Sequence, residues 1–305
     1  HSPPHLPETL PVSRLGSCVV PGGLIVAGVL FWWFQALNGF NPTDDGFVLA
    51  QSWRVLNGQI PHVDFTSPRP LGSSYLHVLD VIPVWGTLAF SRLVVTAQLL
   101  WIAYATVDAI PSARTMRPVA KLAIVLVAFL VNVGVWPVMA WHTIDGVFLG
   151  ATVVWLATRS PQSAWARRTV WPLAWLIAGY APLVKQGFVV VPFALIMVII
   201  SRRQWSAFAW APAAVIPGIA YLVLTLPTPG GLLGQFYSGS SAELILPSAL
   251  LLEALLRPAG LATVVGVVVA CFLVQPRRLR HPLIRAIAPV VAVAVPLVGR
   301  AVQSF

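Results

Sequence analysis

Hydrophobic residues in this chain form long runs that contain no charged residue and are separated by short polar segments. The runs lie at about 15–37, 93–107, 122–141, 146–158, 169–184, 186–201, 204–226, 258–275 and 286–299. A helix needs about 20 residues to cross the hydrocarbon core of a bilayer, and the shorter runs reach that length only with their polar flanks. The pattern predicts about nine transmembrane helices.

The loop between the first two runs, residues 38–91, contains two less apolar segments. In the segment 45–57, apolar residues recur at helical spacing: Leu49, Trp53 and Leu56. The segment 71–85 is fairly apolar but too short to cross comfortably, and it carries His77, Asp80 and Pro83. We expect both segments to form helices that lie at the membrane interface.

The composition agrees with a membrane protein and excludes a soluble globule. Of the 305 residues 58% are hydrophobic and only 9% are charged, against roughly 25% charged in an ordinary soluble domain. Cys18 and Cys271 lie inside apolar runs, so neither is predicted to form a disulfide or bind a metal. Residues 1–14 are rich in proline and are expected to be a disordered tail.

The charges are arranged as topology signals. A formal net charge of +10 would suggest a nucleic-acid partner in a soluble protein, but here we predict none. With the N-terminus in the cytoplasm, 13 of the 19 basic residues fall inside: Arg14, Arg114, Arg117, Lys121, Arg159, Arg167, Arg168, Arg202, Arg203, Arg277, Arg278, Arg280 and Arg285. Seven of the nine acids then fall outside: Asp44, Asp45, Asp64, Asp80, Asp145, Glu243 and Glu253.

This orientation also decides the status of segment 71–85. If that segment crossed the membrane, every later loop would change sides and the basic clusters would face outward, against the positive-inside bias. The distribution therefore predicts a multi-pass membrane protein with residues 38–91 as an outer loop. We expect the membrane to be a bacterial plasma (inner) membrane.

A series of short motifs follows the first run in a characteristic order. An acidic pair precedes a short helix, G-x-x-P-x-x-D-F comes next, and a proline-rich segment with a tyrosine, a glycine and an arginine follow before the second run. These elements are Asp44-Asp45, Gly58–Phe65, Pro68–Tyr75, Gly86 and Arg92. Two further motifs lie downstream, HTIDGVFLGA at 142–151 and AGYAPLVKQGFVVVPFAL at 178–195.

Over about residues 30–200 this order resembles the GT-C glycosyltransferases, which take sugars from polyprenyl phosphates and include protein O-mannosyltransferases and the lipid A aminoarabinose transferase. The resemblance implies an all-α, GT-C type helical bundle with two interfacial helices in the first outer loop. The catalytic module would span 15–226, and 227–305 would add an outer loop and C-terminal helices. Arg69 departs from the pattern, because relatives often have an aromatic residue or a second proline there.

The acidic pair supplies the candidate catalytic residues. The resemblance makes Asp44 the general base for an acceptor hydroxyl, while Asp45 would orient the acceptor or help hold a divalent metal. From spacing alone, Asp44 or Thr43 could instead cap the helix that follows Pro42.

Cationic residues supply the candidate ligands of the donor phosphate, which are Lys185, Arg69 and Arg92. Lys185 could instead be an ordinary lysine at a helix end, and either arginine could simply pair with Asp64 or Asp80. The candidate substrate pocket comprises Asp145, His142, Tyr75 and Gln186, and the candidate metal ligands are Asp45 and His142. A lone histidine near tryptophans can also be structural.

The predicted reaction is an inverting transfer of a sugar from a polyprenyl-phosphate donor to a hydroxyl of a glycan, lipid or protein acceptor, on the extracytoplasmic face. Mg or Mn could assist the departure of the phosphate. The alternatives are a lipid or sugar-lipid transporter and a non-catalytic partner with the same fold. No inverted pair of broken helices is found in the sequence, which weakens the transporter alternative.

Overall fold

The computed structural model describes residues 14–67, 69–159, 164–225 and 235, and that part of the chain is helical without a β-strand. Its α-helices are α1 Arg14–Gln35, α2 Asp45–Leu56, α3 Gly72–Leu76, α4 Thr87–Ala109, α5 Pro118–Val135, α6 His142–Thr158, α7 Ala164–Val184, α8 Val190–Ser201 and α9 Ile216–Thr225. Four 3-10 segments accompany them: Val78–Val81, Pro111–Thr115, Gln186–Val189 and Trp205–Val215.

The first seven predicted apolar runs are helical over most of their length. Among the residues that the structure describes, four helical segments are long and apolar enough to cross a membrane: Cys18–Gln35, Thr87–Ala109, Pro118–Val135 and Trp205–Thr225. The chain is therefore a membrane-embedded protein. The predicted runs at 258–275 and 286–299, like the tail 1–13, lie outside the described residues.

Prolines and glycines set several helix ends. Pro118 begins α5, where a missing backbone N–H costs nothing. The same helix stops before the predicted end at 141, because Trp136 precedes Pro137 and is held in an extended conformation. After α2, Gly58 adopts a left-handed conformation with φ +79, which ends the helix.

Two hydrophobic clusters hold the long helices together. One joins α4, α5 and α6 through buried residues that include Leu99, Val125 and Ile144. The other joins α6, α7 and α8 through residues that include Val153, Ala178 and Leu195. Since α6 contributes to both clusters, it lies at the centre of the bundle.

The bundle has two chemically different ends. The loop end comprises residues 36–86 and the helix ends that contact them, including the starts of α4 and α6 and the end of α7. The basic end comprises the opposite ends of α4, α6 and α8, where Arg114 and Arg202 both donate to the carbonyl oxygen of Thr158. The described acids Asp44, Asp45, Asp64, Asp80 and Asp145 belong to the loop end, whereas Asp108 lies at the basic end.

Segment 71–85 differs from its prediction as one helix. It is broken into α3 and a 3-10 turn, and its polar residues Ser73, Ser74, His77 and Asp80 are buried. Gly72 allows this close packing, since an added Cβ would lie 2.6 Å from the carbonyl carbon of Leu183 in α7. The segment is inserted into the loop end because its polar side chains find partners there.

Candidate functional site

Asp145 is the centre of a buried polar cluster at the loop end. It lies in the first turn of α6 and is completely buried. Its carboxylate accepts hydrogen bonds from Ser73 Oγ, from His77 Nε2 at 3.0 Å and from Gln98 Nε2 at 2.8 Å. One carboxylate thus ties α3 and α4 to α6, as expected for a charge that is buried only with partners.

His77 is enclosed between two acids. Its Nδ1 lies 2.6 Å from Asp80 Oδ2 and its Nε2 lies 3.0 Å from Asp145 Oδ1, so both ring nitrogens donate to carboxylates. Burial by itself lowers the pKa of His77, but the charge and hydrogen bond of Asp145 and the contacts of Asp80 outweigh it and raise the pKa to about 10. His77 is therefore an imidazolium at neutral pH.

Asp45 and Arg92 form a second buried contact. Arg92 Nη2 donates to Asp45 Oδ2 at 2.6 Å and to the carbonyl oxygen of Gly39 at 2.8 Å, and the backbone N–H of Ala140 donates to Asp45 Oδ1 at 3.2 Å. Both carboxylate oxygens are thus occupied. The expectation that Arg92 pairs with Asp64 or Asp80 is wrong, because Asp45, in the first turn of α2, faces the start of α4.

A narrow cleft lies between α2, the segment 67–74 and the first residue of α6. Arg69 crosses this cleft, and its Nη1 donates to Nε2 of His142 at 2.9 Å. The expected pairing of Arg69 with Asp64 or Asp80 is therefore also wrong; Asp64 accepts the backbone N–H of Ile60 instead. Because Nε2 accepts this bond, the imidazole of His142 is neutral with its proton on Nδ1.

Lys185 follows Val184, which lines the cleft, and its side chain is 7% exposed. Its charge acts on His142, as does the charge of Arg69. Of the three predicted phosphate ligands, Arg69 lines the cleft, Lys185 is the neighbour of a lining residue, and Arg92 is held by Asp45.

Asp44 precedes α2 and is half-buried. The alternative that Asp44 or Thr43 caps this helix is wrong. Asp44 makes no side-chain capping bond, and the Thr43 hydroxyl donates to Asn41 Oδ1 at 2.6 Å. Asp44 also has a helical conformation, so it shares one helix face with Phe47, Val48 and Gln51, which line the cleft. Asp44 itself is not a lining residue, and its Oδ2 accepts from Asn41 Nδ2 at 3.5 Å.

The cleft is small in this conformation. Its free volume is about 10 Å³, about the space that one water molecule needs. A sugar could enter only if the segment that carries Arg69 moved away from α2 and His142.

Tyr75 and Gln186 lie at the margins of this region. Tyr75 in α3 is half-buried, and burial raises its pKa. It lies near the phenols of Tyr180 and Tyr221, and Tyr180 donates to the carbonyl oxygen of Gly72 at 2.7 Å. Gln186 is exposed at the start of the 3-10 turn after α7.

The two predicted metal ligands do not form a metal site. Both oxygens of Asp45 accept other hydrogen bonds, and His142 Nε2 accepts from Arg69. Among the described residues, no three histidine, cysteine, aspartate or glutamate side chains come together to hold a metal ion. In this conformation Asp45 and His142 do not offer free ligand atoms to a divalent cation, and no chemical step is assigned to one.

A histidine in the loop also makes contacts that the motifs did not predict. His62 has a left-handed backbone with φ 64, and its ring lies 2.6 Å from the Tyr221 hydroxyl and 2.8 Å from Gln235 Oε1. The same hydroxyl accepts the backbone N–H of Leu71 at 3.1 Å. Tyr221 in α9 thus fastens both ends of the segment that carries Arg69.

Sequence reasoning selected Asp145 and His142 but missed Ser73, His77 and Gln98, which surround Asp145. The available signal was the His77 and Asp80 pair at helical spacing within an apolar segment, because polar residues in such a segment need buried partners as well as disfavouring a membrane span. No family model, no curated protein and no solved structure matches this chain.

Proposed function

We propose that the chain is an inverting glycosyltransferase of the GT-C type that moves a sugar from a polyprenyl-phosphate donor to an acceptor hydroxyl. The observation that carries this proposal is the contact of Arg69 with His142 in the cleft, with Lys185 directly after the lining residue Val184 and Asp44 directly before α2. A carboxylate and two cations around one cleft are the groups that transfer from a lipid-linked phosphate requires.

Each residue has a defined part in the proposed reaction. The acceptor hydroxyl gives its proton to Asp44, and its oxygen forms a bond to the anomeric carbon of the donor sugar. The bond between that carbon and the phosphate oxygen breaks, and the polyprenyl phosphate leaves with the electron pair. Arg69 and Lys185 balance the charge of the departing phosphate.

The buried residues have a supporting part. Asp45 and Arg92 hold the start of α2 against α4, and thereby fix the position of Asp44. The Asp145 and His77 cluster holds α3 against α4 and α6, and thereby fixes the cleft wall that contains Ser73 and Ser74. We assign positioning roles to these residues rather than contact with the substrate.

The proposed topology has about nine transmembrane helices, a cytoplasmic N-terminus and an extracytoplasmic loop end, in a bacterial plasma membrane. The separation of acids and bases between the two ends supports it. A cysteine at Trp85, which is fully exposed in the loop, tests it after Cys18 and Cys271 are replaced by alanine. A membrane-impermeant maleimide should label this variant in intact cells; labelling only after lysis would contradict the topology.

The catalytic proposal is tested by Asp44→Asn, with Asp64→Asn as the matched control, since Asp64 is an exposed acid in the same loop. Membranes containing each variant receive a radiolabelled polyprenyl-phosphate sugar, and label transferred to membrane glycans, lipids and proteins is measured. Loss of a general base lowers the rate by about 100-fold or more. Undiminished transfer by Asp44→Asn would remove it from this role.

An assay with the same polyprenyl-phosphate donor distinguishes the enzyme from the transporter alternative. Purified protein is reconstituted in liposomes, and consumption of the donor is compared with its movement between leaflets. Movement without consumption, when acceptor-containing membrane extract is present, would favour transport. Neither movement nor consumption would favour a non-catalytic partner.

A further inference from the structure

An apolar groove runs along the bundle between α1 and α4. It has a volume of about 500 Å³ and is lined by α1 residues from Val20 to Val29 and by α4 residues from Leu93 to Tyr104. Gly28 allows α1 to approach α4 closely along the groove, because an added Cβ would lie 2.7 Å from Leu100 Cδ1. The groove lies apart from the polar cleft, and its lining residues Leu24, Leu100 and Tyr104 also pack in the cluster that joins α4, α5 and α6.

The surroundings of the groove are those of a lipid-facing surface. Ile25 and Val29, which line it, are 67% and 48% exposed. In a membrane-embedded protein such side chains contact hydrocarbon. An unfilled apolar space of this size would lose dispersion contacts along both walls, so a hydrocarbon chain is its natural occupant.

The groove ends next to a group of cations at the basic end. At Tyr104, its last lining residue, Lys121 Nζ lies 5.2 Å from the ring centroid and Arg159 Nη2 lies 3.4 Å from the hydroxyl. Trp101, another lining residue, packs against Trp155 with ring centroids 4.9 Å apart. Tryptophan and tyrosine are typical of the depth at which lipid head groups begin.

The cations are gathered around one acid. Lys121 and Arg159 both donate to the Asp108 carboxylate, Arg114 donates to the Asp108 carbonyl oxygen, and Arg202 joins Arg114 at Thr158. These four cations and one carboxylate carry a net charge of +3. Arg159 is also 48% exposed, so the positive charge can be reached from the surface.

We propose that this groove and its basic end bind one anionic phospholipid from the leaflet that meets the basic end. An acyl chain occupies the space between α1 and α4, and the lipid phosphate lies beside Lys121 and Arg159. A zwitterionic lipid fits the same groove but brings an ammonium group to the cations, so it binds more weakly. The lipid stabilises α1 against α4 and is not a substrate of the proposed transfer.

Native mass spectrometry of the full-length protein in detergent tests this proposal. Phosphatidylglycerol and phosphatidylcholine with identical acyl chains are added in turn, and the fraction of protein that retains one lipid is measured. Wild-type protein should retain phosphatidylglycerol about fivefold better or more, the difference expected for one cation near a lipid charge. Inorganic phosphate alone should not compete, because it lacks the chain that the groove holds.

Two variants distinguish the contribution of the acyl chain from that of the cations. Ala97→Phe fills the groove from an exposed position on α4 and should lower retention of both lipids. Arg159→Gln leaves Lys121 on Asp108 and should remove most of the preference for phosphatidylglycerol, with phosphatidylcholine unchanged. The matched controls are Val127→Phe, on an exposed face of α5, and Arg168→Gln, on α7; both should behave as wild type.

Equal retention of the two lipids by wild-type protein would overturn the proposal, as would variants that match their controls. Competition by inorganic phosphate would identify a phosphate site without a lipid groove and would overturn it too. Circular dichroism and size-exclusion profiles establish that each variant is folded before its lipid retention is compared.

Discussion

Arg69 and His142 are joined across the cleft by a hydrogen bond of 2.9 Å from the guanidinium Nη1 to the imidazole Nε2. This bond links the loop segment before α3 to the first residue of α6, and both residues line the cleft. The cleft has little free volume in this conformation. A phosphate that accepted from Arg69 would compete with His142 for the same donor.

We expect Arg69→Gln to raise the KM for the polyprenyl-phosphate donor about tenfold or more, because a hydrogen bond to a charged group is lost. Arg69→Lys keeps the positive charge but loses the bidentate donors of the guanidinium, so its KM should lie between those of the wild type and of Arg69→Gln. The measurement is transfer of radiolabel at a series of donor concentrations. Arg54→Gln is the control, since Arg54 is an exposed arginine in the same loop that packs on Phe65; an equal effect there would contradict a specific role for Arg69.

Asp44 and Asp45 are neighbours in sequence but should respond differently to removal of the carboxylate. Asp45→Ala leaves Arg92 buried without its acid, which destabilises a protein by about 3–5 kcal/mol. Asp44→Ala removes a half-buried side chain without a capping bond and should leave stability nearly unchanged. Thermal unfolding of the two purified variants in one detergent checks this. Equal loss of stability would contradict the assignment of Asp45 as the positioning residue.

The helices could be predicted from sequence because hydrocarbon requires long uninterrupted apolar runs, and those runs are visible in one dimension. The polar contacts could not, since they join distant residues. His77 meets Asp145 from 68 positions away, and Asp45 meets Arg92 from 47 positions away. Nothing in the local spacing of Arg92 distinguishes Asp45 from Asp64 or Asp80, and only the folded chain selects the partner.

Segment 71–85 illustrates the same limit for secondary structure. Its apolar residues predicted a surface helix, but the partners of Ser73, His77 and Asp80 lie inside the loop end. Burying these groups with partners is favourable, whereas leaving any of them unpaired in an apolar environment is costly. The segment therefore breaks and turns inward. The motifs indicated Arg69 and Lys185 as candidate phosphate ligands, but they did not indicate that Arg69 would contact His142.

His77 should make the stability of the protein depend on pH above neutrality. The pKa of His77 is raised from 6.5 to about 10 in the folded protein. Its contribution to the free energy of unfolding is therefore fully present below pH 6.5 and is lost as the pH rises toward 10. Within this window the free energy of unfolding should fall by up to about 1.4 kcal/mol per pH unit. Thermal unfolding at several pH values measures it, and His77→Gln should flatten the dependence.

The protonation state of His77 can also be read without a variant. Nitrogen NMR of labelled histidine should show one imidazolium that persists at pH 8, while a histidine with the ordinary pKa of about 6.5 has become neutral. A neutral ring at every histidine at that pH would contradict the arrangement of His77 between two carboxylates.

Gly72 should be the glycine whose replacement most directly disturbs the cleft wall. In Gly72→Ala the new Cβ would lie 2.6 Å from the backbone of Leu183, which cannot move without displacing the end of α7 and therefore Val184 and Lys185. We expect a loss of stability of about 1–3 kcal/mol from overpacking, together with reduced transfer. Gly134→Ala in α5 is the control, because no atom lies within 4 Å of its added Cβ and alanine favours a helix by about 1 kcal/mol. If the two variants unfolded at the same temperature, the close approach of α3 to α7 would be contradicted, and with it the position of Val184 and Lys185 at the cleft wall.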